Sequence, residues 1–278
     1  MAKRALPQKL NLLYLNVGGG QWFEELMEYI SSMAEHIDVF CFQEVLDTPT
    51  DIVWSGELKG RVSRQRADLF KQLRLALPEY FPLFAWYSRL RTVDFPLYIG
   101  NAMFIKRGGV VLDVCSWGDT MVFGRRDGMD TINLEALSRN VQYAVLKLRG
   151  KAGVSVFNFH GLWQPIGKKD TPRRLRQFQE LHRVVEAFPG SDKILGGDFN
   201  TFPTSRCSLV LEEAGMRNLV RECGILSTRS SLYKRPQNGP HADNIFISGG
   251  GTVQLEVPEV LASDHLPLVV QYQYTKRP

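Results

Sequence analysis

Apolar residues in this chain fall into short runs separated by glycine and proline breaks, and the spacing inside each run distinguishes strand from helix. Residues 10–17 are a nearly continuous apolar run that reads as a strand, broken by Gly18-Gly19-Gly20. Trp22, Phe23, Leu26, Ile30 and Met33 then recur at helical spacing, which predicts an amphipathic helix over residues 21–35. A second strand is expected over residues 39–44, and a helix over residues 66–77 that Pro78 stops. Residues 83–87, 98–106 and 110–117 read as three strands of an antiparallel meander, with Arg107-Gly108-Gly109 as the turn between the last two. Strand patterns over 140–148 and 154–160 flank Arg149-Gly150-Lys151-Ala152-Gly153, a hairpin signal.

Thr171 with Pro172 behind it opens a helix whose apolar stripe is Leu175, Phe178, Leu181 and Val185. The arginines around that stripe, Arg173, Arg174, Arg176 and Arg183, read as a solvated face, with those at the helix start as the alternative phosphate contacts. A strand over 193–198, a short helix over 205–214 closed by Gly215, and strands over 242–247, 252–257 and 266–274 complete the pattern. Segments 45–65, 118–137 and 221–240 carry no clear periodicity and are candidate walls of a cleft. Many strands interrupted by few helices predict two packed sheets with helices outside.

Composition narrows this further. At 278 residues, 44% hydrophobic and 23% charged, the chain has the balance of a globular domain, and one domain over 1–278 is expected. No apolar stretch reaches transmembrane length and the N-terminus lacks a signal-peptide core, so the expected location is the cytoplasm and the default state a monomer. Cys41, Cys115, Cys207 and Cys223 form no metal-binding spacing, in keeping with a reducing compartment. The formal charge of +5 suits an anionic partner, such as a nucleic acid, a phosphorylated metabolite or a lipid headgroup.

The chemistry sits at strand ends. Lys193-Ile194-Leu195-Gly196-Gly197-Asp198-Phe199-Asn200 feeds an apolar run into two glycines and then presents Asp198 and Asn200 two residues apart. A buried carboxylate there needs a cation or hydrogen-bond donors. Ser263-Asp264-His265 stands before the last strand, Glu44 closes the second strand and His160 closes another. Acids, amides and imidazoles without a cysteine set suit a hard cation and a phosphate.

With Asn16 in Leu15-Asn16-Val17 and Asp243 in Ala242-Asp243-Asn244-Ile245-Phe246, the ordered set resembles the endonuclease/exonuclease/phosphatase superfamily over residues 10–274. The resemblance implies a four-layer α/β sandwich of two mainly antiparallel sheets flanked by helices, and a metal-dependent phosphodiesterase related to exonuclease III, DNase I and sphingomyelinase. It implies Mg²⁺, with Mn²⁺ as the alternative, on Glu44, Asn16 and Asp264. Asp198 would orient or deprotonate the attacking water, Asn200 would hold that water or a phosphoryl oxygen, and His265, oriented by Asp243, and His160 would contact the phosphate. Arg139 and Asn101 are further phosphate candidates. Gly18 stands where many nuclease members carry a second Asp or Asn, and Phe157 stands where abasic-site nucleases carry a tyrosine, which weighs against DNA repair. The Cys-Asp-Arg motif of inositol polyphosphate 5-phosphatases is missing around Asp243. The expected substrate is DNA or RNA. A phospholipid such as sphingomyelin, or a phosphomonoester, is the alternative, and an inactive nucleic-acid-binding protein is the reading from another class.

Overall fold

A strand without polar alternation must be covered on both faces, and residues 10–17 are buried throughout except for Asn11. They form β1 (Gln8–Asn16) in the computed structural model, which describes residues 8–48, 53–57, 62–90, 96–126, 137–149, 151–190 and 192–274. In chain order there follow α1 (Phe23–Met33), β2 (Val39–Asp47), β3 (Val53–Glu57), β4 (Val62–Arg66), α2 (Leu69–Ala76), β5 (Tyr80–Leu90) and β6 (Leu97–Lys106). Next come β7 (Val111–Phe123), β8 (Arg139–Leu148), β9 (Lys151–His160), α3 (Pro172–Ala187), β10 (Lys193–Asp198) and α4 (Arg206–Glu213). The chain ends with β11 (Arg217–Asn218), α5 (Leu219–Glu222), β12 (Asp243–Ser248), β13 (Thr252–Glu256) and β14 (Leu268–Tyr274).

Two six-stranded sheets result, in the orders β13-β14-β1-β2-β6-β5 and β11-β12-β10-β9-β8-β7. Both are mixed. Each holds one parallel pair, β1 with β2 and β9 with β10, joined by a crossover through α1 or α3, and the remaining pairs are antiparallel. Leu10, Leu12 and Tyr14 of β1 share one buried cluster with Leu146 of β8, Val156 of β9 and Ile194 of β10, so this is the core between the sheets. The alternate residues Leu13 and Leu15 pack instead with Leu26 and Ile30 of α1 and Leu69 and Leu73 of α2. On the far side, Phe157, Phe159 and Leu195 lie with Phe178 and Leu181 of α3 and Leu211 of α4. The layers are therefore helix, sheet, sheet, helix. Each of these side chains contributes about 1.5–3 kcal/mol on burial, so neither face of β1 can carry a charge.

The expected meander is corrected. β5 and β6 do pair, but β7 joins β8 in the other sheet. Both edges of β6 are already taken, by β2 and β5, so the chain crosses to the second sheet through Gly108 and Gly109, whose φ values are 81° and 69°. β7 also runs on to Phe123, which shortens the loop expected over 118–137, and β3 pairs with β4 inside the segment expected to be irregular. Of the proposed cleft walls, residues 49–52, 58–61 and 127–136 lie outside the described residues. Among the described residues, no helix is long and apolar enough to cross a membrane.

Toward the ends of the strands that carry the acids, the inter-sheet layer turns polar. Gln43 Nε2 donates to Asn158 Oδ1 at 2.6 Å, and Asn158 Nδ2 donates to the carbonyls of Phe42 and Ala102 at 3.0 and 3.1 Å. A buried network of this kind fixes one sheet against the other, because a slip would leave amides unpaired at about 1–3 kcal/mol each. It therefore sets Glu44, next to Gln43, relative to His160 on β9.

Candidate active site

Strand pairing brings the sequence motifs together. Asp198 registers with His160 on β9 and with Asp243 on β12, while Asn16 registers with Gln43 on β2. A register shift between Phe42 and Val45 marks a β-bulge, and within it Glu44 takes a left-handed φ of 57°. A glutamate in that conformation is strained, and the bulge aims its carboxylate at the neighbouring strand ends. Asn200 is also left-handed, at φ 55°, which asparagine tolerates. Gly197, at φ 136°, has no room for a side chain, since a Cβ would overlap the carbonyl oxygen of Phe159. Gly197 thus lets β10 run close to β9, while Gly196 leaves room for the Tyr14 ring and Ile245.

Asp198 is the hub. Its Oδ2 accepts from Asn16 Nδ2 at 3.0 Å and lies 3.8 Å from His160 Nε2 and 3.6 Å from His265 Nε2, while its Oδ1 accepts from the Asn200 N–H at 2.9 Å. Asn16 Nδ2 also reaches Glu44 Oε1 at 3.2 Å, and His160 Nε2 is 3.8 Å from the same oxygen. His265 Nδ1 faces both Asp243 oxygens at 2.9 Å. Asp264 pairs with Arg229 at 3.2 Å, and its Oδ1 lies beside Gly18.

The two imidazoles are driven apart. Burial, then the Arg139 guanidinium, push His160 well below the ordinary histidine value against the pull of Asp198. His160 Nε2 faces the carboxylates of Glu44 and Asp198, so the neutral ring carries its proton there, and Nδ1 accepts from the Tyr87 hydroxyl at 3.1 Å, which burial keeps protonated. Burial and Arg229 also lower His265, but Asp243 and Asp198 outweigh them and the net shift is upward. In the neutral ring Arg229 Nη1 donates to His265 Nε2, which leaves the proton on Nδ1 against Asp243; a second proton, which the carboxylates favour, would go on Nε2 and displace Arg229.

These shifts have opposite consequences for stability. His265, raised when folded, contributes stability below about pH 6.5 that is lost as pH rises through its folded value. His160 is the reverse: below about pH 6.5 the unfolded chain takes up a proton that the folded chain refuses, so stability falls as pH drops. The stability difference between the protein and its His160→Gln variant is expected to shift by about 2 kcal/mol against the parent between pH 7 and pH 5. Urea midpoints of both proteins at the two pH values test this, and a pH-independent difference would refute a neutral His160.

Burial lifts the Glu44 carboxyl above its ordinary range; Asp198 and Asp264 add to the push, and the Asn16 hydrogen bond and His265 oppose it. A third of the Glu44 side chain reaches solvent, which moderates the lift. For Asp198, burial is overcome by Lys168, His265, His160 and Arg229, which together hold it well below the usual carboxylate range. Glu44, His160 and Asp198 each present a ligand atom within 4.8 Å of the others, as do Asp198, Asp243 and His265. An acid that burial and neighbouring carboxylates both disfavour fits a hard divalent cation, Mg²⁺ or Mn²⁺, and turning the Asn16 carboxamide over would add an oxygen donor. Of the expected ligands Glu44, Asn16 and Asp264, only Glu44 belongs to one of these two clusters; Asn16 hydrogen-bonds to Glu44 and Asp198, and Asp264 pairs with Arg229.

The weaker phosphate candidates separate. Arg139 is buried, donates through Nε to the Gly161 carbonyl at 3.0 Å and stacks 4.9 Å from the Tyr87 ring centroid, beside His160. Asn101 is buried between the sheets, where Nδ2 donates to Asn140 Oδ1 at 3.0 Å. Arg174, expected on a solvated face or at a phosphate, is instead buried and donates to the carbonyls of Leu162 and Lys169 at 3.1 and 2.5 Å. The sequence reading missed Tyr87, Lys168 and Arg229. Lys168 is buried, its Nζ donates to Asn200 Oδ1 at 2.6 Å, and burial lowers it to about 8. A signal existed only for the two bases, as members of basic loop segments that the motif order left without a role.

A profile described as the Endonuclease/Exonuclease/phosphatase family matches residues 13–265. Among solved structures, the chain is similar to an endonuclease/exonuclease/phosphatase family protein from Bacteroides thetaiotaomicron, at 18% identity and a TM-score of 0.65 over 97% of this chain and 99% of that one. It is similar to a mannosyl-6-phosphatase from the same organism, at 17% identity and a TM-score of 0.63 over 95% and 100% of the two chains. It is also similar to the human Nocturnin catalytic domain with bound sulfate, at 16% identity and a TM-score of 0.61 over 99% and 96%. No curated protein sequence matches the chain. At these identities the structural likeness establishes the fold, and the profile establishes the family.

Proposed function

The chain belongs to the endonuclease/exonuclease/phosphatase family, whose members are hydrolases of phosphate esters, and from that premise we propose a Mg²⁺-assisted attack of water at phosphorus at the strand ends around Asp198. The observation that carries this reading is the convergence on one buried carboxylate of groups from β1, β9 and the turn before β14: Asn16, His160 and His265. A cation on Glu44, Asn16 and Asp264 would neutralise phosphoryl oxygens and the leaving oxygen. Asp198, flanked by cations, is too weak a base to be protonated at rest, so it orients the water and accepts its proton only as the new bond forms. His160, through Nε2–H, and His265, released from Arg229, donate to phosphoryl oxygens, while Asn200 positions the water. The water oxygen bonds to phosphorus as the ester P–O bond breaks. The bonding pair leaves on the ester oxygen, which takes a proton from solvent water and ends as a hydroxyl, Asp198 returns its proton to solvent, and the phosphoryl group ends as the phosphate product.

The polynucleotide expectation rests on a net charge of +5. Arg66, Arg126, Arg183, Arg217 and Arg221 are each paired with a nearby carboxylate, which leaves fewer cations for a track of backbone phosphates. The lipid expectation looked to Trp117 and Trp163. Trp117 is exposed but registers with Ala144, well along β8 from Arg139, and Trp163 is half-buried.

The decisive panel is single- and double-stranded DNA, abasic DNA, RNA, sphingomyelin, p-nitrophenyl phosphate and bis(p-nitrophenyl) phosphate, each with Mg²⁺ and with chelator. At least one ester is expected to be cleaved with Mg²⁺ and not with chelator. Cleavage that survives chelation, or tight DNA or RNA binding with no cleavage anywhere in the panel, would refute the reading.

A further inference from the structure

Lys168 and Lys169 are neighbours in sequence and opposites in structure. Lys169 is exposed, whereas Lys168 is 5% exposed, inside the loop between His160 and α3. Among the described residues no carboxylate pairs with Lys168, and the one hydrogen bond its ammonium makes is to a neutral oxygen, Oδ1 of Asn200. A buried ammonium has three N–H groups to satisfy, and a single amide oxygen leaves two of them without a partner.

The other charged groups around Asp198 already have partners or a proposed cation. Asp243 faces His265, Asp264 faces Arg229, Asp198 is contacted by two imidazoles and an amide, and Glu44 belongs to the cation site. Arg229, unlike Lys168, has a carboxylate partner in Asp264, yet it too has a donor to spare. Its side chain is 9% exposed and lies 4.2 Å from the Tyr233 ring centroid, and its Nε is buried without a hydrogen-bond partner among the described residues. Two buried cations from separate loops thus flank Asp198 with N–H capacity to spare.

We propose that Lys168 and Arg229 receive the non-bridging oxygens of a terminal phosphate group, so that the preferred substrate is a phosphomonoester dianion rather than the internal diester of a polymer. This rests on the hydrolytic reading above and names its substrate class. A diester carries one negative charge, which the metal and the imidazoles match, whereas a monoester near neutral pH carries almost two. A second anionic oxygen is what Lys168 lacks. Drawing Arg229 onto that oxygen also takes it off His265 Nε2, which frees the imidazole for the phosphoryl group.

The test uses two esters with the same leaving group, p-nitrophenyl phosphate and bis(p-nitrophenyl) phosphate, with Mg²⁺. The parent is expected to prefer the monoester in kcat/KM. Lys168→Met should lower the monoester-to-diester ratio about tenfold or more, Lys168→Arg should restore part of it, and inhibition by inorganic phosphate should weaken by a similar factor. A measurement on the parent alone covers a variant that fails to fold: inorganic phosphate should inhibit about tenfold more strongly than diethyl phosphate. Equal losses on both esters, unchanged phosphate inhibition in a folded Lys168→Met variant, equal inhibition by the two anions, or turnover of the diester alone would overturn the proposal while leaving the hydrolytic reading in place. Metal-dependent turnover of neither aryl ester nor any panel substrate would overturn both.

Discussion

Exchanging Asp198 for asparagine is expected to lower kcat on any ester the protein cleaves by about a thousandfold or more while leaving the fold intact. Asparagine keeps the oxygen that accepts the Asn200 N–H at 2.9 Å, so the turn that follows β10 stays formed, and its amide nitrogen meets Asn16, whose carboxamide must turn over to accept from it. What disappears is the negative charge facing two imidazoles and Lys168, and with it the acceptor for the water's proton. Alanine is the poorer probe: it strands both Asn16 Nδ2 and the Asn200 N–H in a buried site, at about 1–3 kcal/mol for each unmade bond, and mixes a folding defect with a chemical one. Initial rates with Mg²⁺, circular dichroism and urea midpoints separate the two. A folded Asp198→Asn variant within tenfold of the parent rate would remove Asp198 from the chemistry.

The sequence carried the strand-end residues because their signals are local. An apolar run that ends in Gly-Gly-Asp or begins after Asp-His can be read from a few consecutive letters, and the four-layer sandwich follows from counting such runs. Partners set by tertiary contact had no such signature. Nothing in Lys168-Lys169 says which lysine turns inward, and Tyr87 belongs to an ordinary strand pattern until β9 brings His160 against it. The same limit explains the misplaced β7: a glycine turn announces a reversal, but not that the preceding strand has no free edge. Arg174 shows the limit of helical periodicity, since its side chain folds back to cap carbonyls in the loop before α3 instead of facing solvent.

Glu44→Gln is expected to raise the Mg²⁺ concentration needed for half-maximal activity about a hundredfold or more, because it removes the charge of the principal proposed oxygen ligand while keeping the side chain's shape. Its effect on stability should change sign with metal. Without a cation, Glu44 is a carboxylate that burial and two neighbouring acids disfavour, held on a left-handed backbone, so the glutamine variant should be as stable as the parent or more so. With Mg²⁺ at a hundred times its dissociation constant, a native state that binds the ion gains about 2.7 kcal/mol over the unfolded chain, and the parent should overtake the variant. Thermal melts of both proteins across a Mg²⁺ titration would then cross. Parallel curves, or a variant that gains as much from Mg²⁺ as the parent, would mean that the ion sits elsewhere. Glu44 would then owe its strained geometry to the bulge alone, and its carboxylate would lose its reason for being left so poorly compensated.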